Sequence, residues 1–234
     1  MCSLATRLVL LPGMYGTGDL FRDFAEAISG EFAAQVVSYR NDVFLSYAEL
    51  LELIRSVVAA NEPYVIVAES FSTPLAIQFA ATNPPNLKGV VLSGGFATSP
   101  VRGVLRWLTP YLAPVLSFLP ISGIGAWAAL WGSTAPLELQ ARVRNAITSV
   151  KPRVLMDRIQ TVVRCDVLEE LRSINVPMLF LQAKHDRLVN AACLKEILAV
   201  KPEIEVVVLD GSHLLLQAMP RKTAEIVADF VRRL

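Results

Sequence analysis

Histidine is the scarcest residue of this 234-residue sequence, with two, followed by cysteine and tryptophan with three each. Cys2, Cys165 and Cys193 are odd in number and widely spaced, and none sits in a paired Cys-x-x-Cys pattern. That excludes a disulfide framework and leaves no zinc or dithiol motif, so no metal and no redox cofactor is expected. Charge is also sparse, at 18% of residues with a formal net charge of +1, so no global field calls for nucleic acid. The beginning of the chain has Arg7 followed only by Leu8 to Leu11 before Pro12, too short an apolar run for a signal-peptide core. A cytoplasmic location is the expectation that follows. No internal repeat or low-complexity tract is present.

What the sequence has in quantity is apolar side chain, at 53% of residues, enough to bury the core of one domain carrying an insertion. The segment from Trp107 to Leu137 holds no charge and exceeds the ~20 residues of a membrane-spanning helix. Pro110, Pro114 and Pro120, with Gly123 and Gly125, interrupt it. Proline removes a backbone donor and clashes with the preceding turn, so short apolar helices covering a site are favoured over a membrane anchor.

Six β-branched, apolar runs have strand length: Arg7 to Leu11, Gln35 to Tyr39, Tyr64 to Ala68, Gly89 to Ser93, Met178 to Gln182 and Glu205 to Leu209. Helical spacing appears between most of them, as at Leu51, Ile54, Arg55 and Val58. Strands alternating with helices predict an α/β fold with a mostly parallel sheet of about six strands flanked by helices. The alternation breaks after Gly94-Gly95, for far longer than an ordinary connection. The expected organisation is therefore a core of residues 1–97 and 164–234, with a helical cap, 98–163, inserted after the fourth strand. A final helix, with Ile226, Val227, Phe230 and Val231 on one face, closes the sheet.

Ligands of open parallel sheets bind beyond the carboxyl ends of the strands, so polar residues immediately after strands carry the most weight. The third strand runs into Ala68-Glu69-Ser70-Phe71-Ser72 and then a helix; the last runs into Asp210-Gly211-Ser212-His213. A serine at a strand-to-helix turn is exposed, with the helix N-terminus beside it. A histidine can take its proton because the imidazole pKa lies near working pH. This elbow resembles the G-x-S-x-G nucleophile elbow of the α/β-hydrolase superfamily, with Ala68 and Ser72 standing where that family has glycine.

The resemblance covers nearly the whole chain, in the order Ser, Asp, His. It implies Ser70 as nucleophile, His213 as base and, in the loop Ala183-Lys184-His185-Asp186-Arg187, Asp186 as the carboxylate orienting the histidine. Asp157, Asp166 and Asp210 are rivals not placed after the matching strand, and His185 reads as a bystander. The loop Pro12-Gly13-Met14-Tyr15-Gly16-Thr17-Gly18 is similar to the family's oxyanion loop, so the backbone amides of Met14 and Phe71 are implied as oxyanion donors. Its glycines do not fit G-x-G-x-x-G, which excludes a dinucleotide fingerprint.

Substrate contacts are expected from Tyr15 and Leu214 and, within the insertion, from Trp107, Tyr111, Trp127 and Trp131. The apolar surface of the insertion suits an acyl chain, and equally suits packing against the core. Arg142, Arg153 and Arg158 belong to a basic stretch similar in placement to the arginine-rich cap of pimeloyl-acyl-carrier-protein methyl ester esterases. That likeness implies an acidic carrier protein as partner, set against an ordinary solvated helix face. The function expected is hydrolysis of carboxylic esters, or of thioesters, of apolar acyl groups. A small-molecule-binding protein without catalysis is the alternative that the altered elbow permits.

Overall fold

The computed structural model describes residues 6–58, 62–101, 103 and 136–234. Six parallel strands, β1 (Arg7–Leu11), β2 (Ala34–Val36), β3 (Tyr64–Glu69), β4 (Leu87–Ser93), β5 (Met178–Ala183) and β6 (Glu205–Leu209), form one sheet in the order β2-β1-β3-β4-β5-β6. Between and after them lie α1 (Arg22–Ile28), α2 (Tyr47–Val57), α3 (Thr73–Ala81), α4 (Leu137–Thr148), α5 (Pro152–Val163), α6 (Leu168–Arg172), α7 (Ala191–Val200), α8 (Leu215–Ala218) and α9 (Pro220–Arg232).

The two-residue period of a strand sends alternate side chains to opposite faces. Val9, Leu11, Ile66, Ala68, Val90, Leu92 and Phe180 therefore meet α2, α3, α6 and α7 on one side. Leu8, Leu10, Val65, Val67, Val91, Leu179 and Leu181 meet α1, α8 and α9 on the other. Burial on both faces is why these strands read as unbroken apolar runs rather than as alternating ones.

The second strand is shorter than its sequence suggests. Pairing with β1 covers Ala34 to Val36, and the run expected to reach Tyr39 leaves the sheet. Val37 N still donates to Leu10 O at 2.9 Å, but Tyr39 N donates to Gly16 O at 2.7 Å, which draws the chain across the loop after β1. Tyr39 is thereby turned inward, 4% exposed, beneath the start of α3.

Within the long interval between β4 and β5, α4 and α5 pack over the carboxyl ends of the strands. Leu139, Val143 and Ala146 of α4 cluster with Tyr15, Leu20 and Leu214, and Val154 and Leu155 of α5 pack with Val150 and Met14. An isolated antiparallel bridge between Thr98 and Asp166 ties together the two ends of that interval. No helix among the described residues is long and apolar enough to cross a membrane. Most of the charge-free segment after Trp107 lies outside the described residues.

Candidate active site

Strand β3 delivers Ser70 at the point where the sheet ends and a short 3-10 turn, Ser70–Ser72, leads into α3. Ser70 has φ +49°, a left-handed conformation that side chains other than glycine rarely adopt and that costs about 1–3 kcal/mol. The strain presents the hydroxyl outward. Thr73 Oγ1 donates to Ser70 O at 2.8 Å and Tyr47 Oη to Phe71 O at 2.6 Å, fastening the turn on both sides.

His213 follows β6, and its Nε2 lies 2.8 Å from Ser70 Oγ while its Nδ1 lies 2.7 Å from Asp186 Oδ2. Asp186 follows β5. Its other oxygen, Oδ1, accepts the amides of Leu188 and Val189, each at 2.9 Å, so the loop itself aims the carboxylate. An ionised carboxylate only accepts, so Nδ1 carries the hydrogen, and Nε2 is left to accept the proton of Ser70. The side chains of His213 and Asp186 are 2% and 1% exposed. Burial, the largest influence, pushes the imidazole pKa down. The hydrogen bond and charge of Asp186, with a further contribution from Glu69, outweigh it and hold His213 above 6.5. Gly94, at φ +56°, permits this placement, since a Cβ there would stand 2.9 Å from His213 Cε1.

The small residues of the elbow do more than leave room. Ser72 is fully buried, its hydroxyl donates to Pro12 O, and Tyr39 Oη lies 2.7 Å away. It joins the elbow to the loop after β1, a link glycine could not make. Met14 and Phe71 lie on the two sides of that junction. Phe71 occupies the first turn before α3, where helix geometry leaves amides without internal acceptors.

A cavity of about 300 Å³ opens over Ser70 and His213. Gly13, Met14 and Tyr15 form one wall; Val143, Ile147, Leu155, Ile159, Leu188 and Leu214 supply apolar walls. Tyr15 and Leu214, expected as substrate contacts, both line it. The Tyr15 hydroxyl is already occupied, donating to Glu69 Oε2 at 3.0 Å. Trp107, Tyr111, Trp127 and Trp131, expected from the insertion, lie outside the described residues.

Within the basic stretch the structure departs from a surface reading at Arg158. Arg158 is 2% exposed rather than at the surface. Nη1 donates to Met14 O at 2.7 Å and Nη2 to Arg40 O at 2.8 Å, and the guanidinium sits about 6 Å from the ring centroids of Tyr39 and Phe71. The apolar face of α5 turns inward, and Arg158 lies on that face with Val154, Leu155 and Val162. Arg142 pairs with Asp23 at 2.5 Å. Only Arg153 of the three is exposed. His185 lies apart, exposed and 2.8 Å from Asp210.

Two residues not singled out from the sequence complete the site. Glu69, fully buried, accepts from Gln217 Nε2 at 2.6 Å as well as from Tyr15. Burial pushes its carboxyl pKa up, against the opposing influence of Gln217, His213 and Tyr15. Its signal in the sequence was a charged residue closing an otherwise apolar buried strand. Gln217 sits one helical turn beyond His213 and had no such signal. Among the described residues no three His, Cys, Asp or Glu side chains converge as a metal-ligand set.

The comparisons agree with this architecture. A sequence profile described as the alpha/beta hydrolase family matches residues 8–226. No match was found among curated proteins. MenH from S. aureus superposes with a TM-score of 0.80 at 16% identity, covering 98% of this chain and 94% of that one. A thermophilic esterase from Thermogutta terrifontis gives 0.83 at 16% identity, covering 99% and 91%. The enol-lactonase from Burkholderia xenovorans LB400 gives 0.76 at 17% identity, covering 97% and 92%. At these identities the likeness is one of fold.

Proposed function

The chain belongs to the alpha/beta hydrolase family, and from that premise we propose that it hydrolyses carboxylic esters of apolar acyl groups through an acyl-enzyme on Ser70. The observation that carries this reading is the unbroken relay from Ser70 Oγ through both nitrogens of His213 to Asp186. Ser70 Oγ attacks the ester carbonyl as its proton passes to His213 Nε2. The imidazolium is stabilised by Asp186, and the tetrahedral oxyanion accepts hydrogen bonds from the amides of Met14 and Phe71, each donor worth about 3 kcal/mol. Collapse breaks the ester C–O bond, and the leaving alkoxide takes the proton from His213. Water then attacks the acyl-enzyme, giving its proton to the same nitrogen, and the carboxylic acid leaves as Ser70 regains its hydrogen.

The small molecule is thus the partner this site supports best. Of the three arginines expected to contact an acidic carrier protein, Arg158 is buried and Arg142 is paired, which leaves Arg153 to support that reading. The test is hydrolysis of p-nitrophenyl esters and labelling by a serine-directed fluorophosphonate, in wild type and Ser70→Ala. Turnover and label are both expected in wild type and absent in the variant. A folded wild type that neither turns over any ester nor takes the label would refute an acyl-enzyme on Ser70.

A further inference from the structure

Nucleophile, oxyanion loop and base lie on three separate segments, and each segment sends one polar side chain to a common point. Glu69 precedes Ser70 at the end of β3, Tyr15 follows Met14 in the loop after β1, and Gln217 lies on α8, just beyond His213. Glu69 Oε2 accepts from Tyr15 Oη at 3.0 Å and from Gln217 Nε2 at 2.6 Å, and Gln217 Nε2 lies 3.3 Å from Tyr15 Oη. The three groups form a closed triangle, and all three side chains are buried. A pair of side chains fixes two segments relative to each other; a triangle fixes three. Two of these segments have little structure of their own. The loop from Pro12 to Thr17 is neither helix nor strand, and α8 is a single turn, Leu215–Ala218, too short to be stable by itself. Ser70, by contrast, is set by an interior strand of the sheet.

Resting on the esterase reading, we propose that Glu69 is a positioning residue: by holding Tyr15 and Gln217 at one oxygen, it sets the oxyanion loop and the histidine-bearing segment against Ser70. Its Oε2 is engaged within the protein, so its effect on the reaction passes through Met14, the neighbour of Tyr15, and through His213. An oxyanion donor must stand about 2.7–3.1 Å from the developing charge. A misplacement of about 1 Å costs on the order of a hundredfold in rate. These demands are strictest in the transition state, whereas the acyl group rests on the apolar walls Val143, Ile147, Leu155 and Ile159, which are not part of the triangle. Opening the triangle therefore lowers kcat and leaves KM nearly unchanged.

The test is kcat and KM for p-nitrophenyl butyrate, expressed per active site titrated with the fluorophosphonate, with urea unfolding of each variant in parallel. In Glu69→Met, which removes the acceptor and keeps the length, kcat is expected to fall by about ten- to hundredfold while KM changes by less than about threefold. Glu69→Gln keeps an oxygen that can accept from both partners and should retain kcat to within about threefold. Tyr15→Phe removes one corner of the triangle. It should lower kcat in the wild-type background and add little in Glu69→Met, where the triangle is already open. A Glu69→Met protein that is less stable but turns over at the wild-type kcat per site would overturn the proposal and leave Glu69 a purely structural role. So would a raised KM with kcat unchanged, or a loss in Glu69→Gln as deep as in Glu69→Met, which would point to charge rather than position. Should Glu69→Met not fold, Tyr15→Phe and Gln217→Met carry the test, and an unchanged kcat in both would sink the idea. Wild type that takes no label and hydrolyses no ester overturns the esterase reading and this one with it; label and turnover in wild type confine any failure to Glu69.

Discussion

At the scale of single residues, His213 sets the pH behaviour. The groups that face it are Ser70, Asp186 and, at longer range, Glu69. Its pKa in the folded chain lies above the ordinary 6.5, and only the neutral imidazole accepts the serine proton. Activity therefore rises with pH through a value above 6.5, so the kcat/KM profile of a neutral ester is expected to have its acidic limb there. Stability runs the other way. A histidine whose pKa is raised on folding contributes stability that is fully present below its unfolded value and fades as pH rises through the folded one. A limb at or below 6.5, measured on wild type, would mean that burial outweighs Asp186.

At the scale of elements, the site depends on how α5 holds the loop after β1. Arg158 bridges two carbonyls that belong to separate segments, Met14 in that loop and Arg40 beyond β2. Gly16, at φ +74°, is what allows the approach, because a Cβ there would stand 2.7 Å from Nη1. A planar fork can serve both carbonyls at once, whereas an ammonium is a single point. Arg158→Lys is therefore expected to leave one of the two carbonyls without its donor, lowering stability by about 1 kcal/mol in urea unfolding. The freed loop should also reduce kcat by roughly tenfold while KM for short esters changes little, because loop order matters most where charge develops. An unchanged kcat in a destabilised variant would confine Arg158 to a purely architectural role.

At the scale of the whole molecule, the position of α4 and α5 over the strand ends sizes the cavity. About 300 Å³ is at the lower limit of ordinary small-molecule sites, so short acyl chains are favoured. In a p-nitrophenyl series the optimum is expected between acetate and hexanoate, with palmitate poor. Leu155→Ala removes one apolar wall and should move the optimum to a longer chain, at a cost in stability of about 2–5 kcal/mol for a buried leucine. An optimum at palmitate in wild type would place the acyl chain elsewhere.

What was legible in the sequence was local. Strands and helices follow from hydrophobic period, and the places of Ser70, Asp186 and His213 follow from their positions after β3, β5 and β6, because a parallel sheet puts all such ends on one edge. Bonds between residues 143 and 27 apart in the chain then close without any further signal. Only tertiary structure decided the rest. Arg158 read as surface charge because a helix face shows its polarity in sequence but not what it meets. Its partners, 144 and 118 residues away, are backbone carbonyls, which carry no residue identity to find. The early end of β2 and the inward turn of Tyr39 follow from a bond to Gly16 O, equally invisible. Glu69 could be seen as a charge in a buried strand. That one of its oxygens is held by both Tyr15 and Gln217 depends on where three separate segments meet.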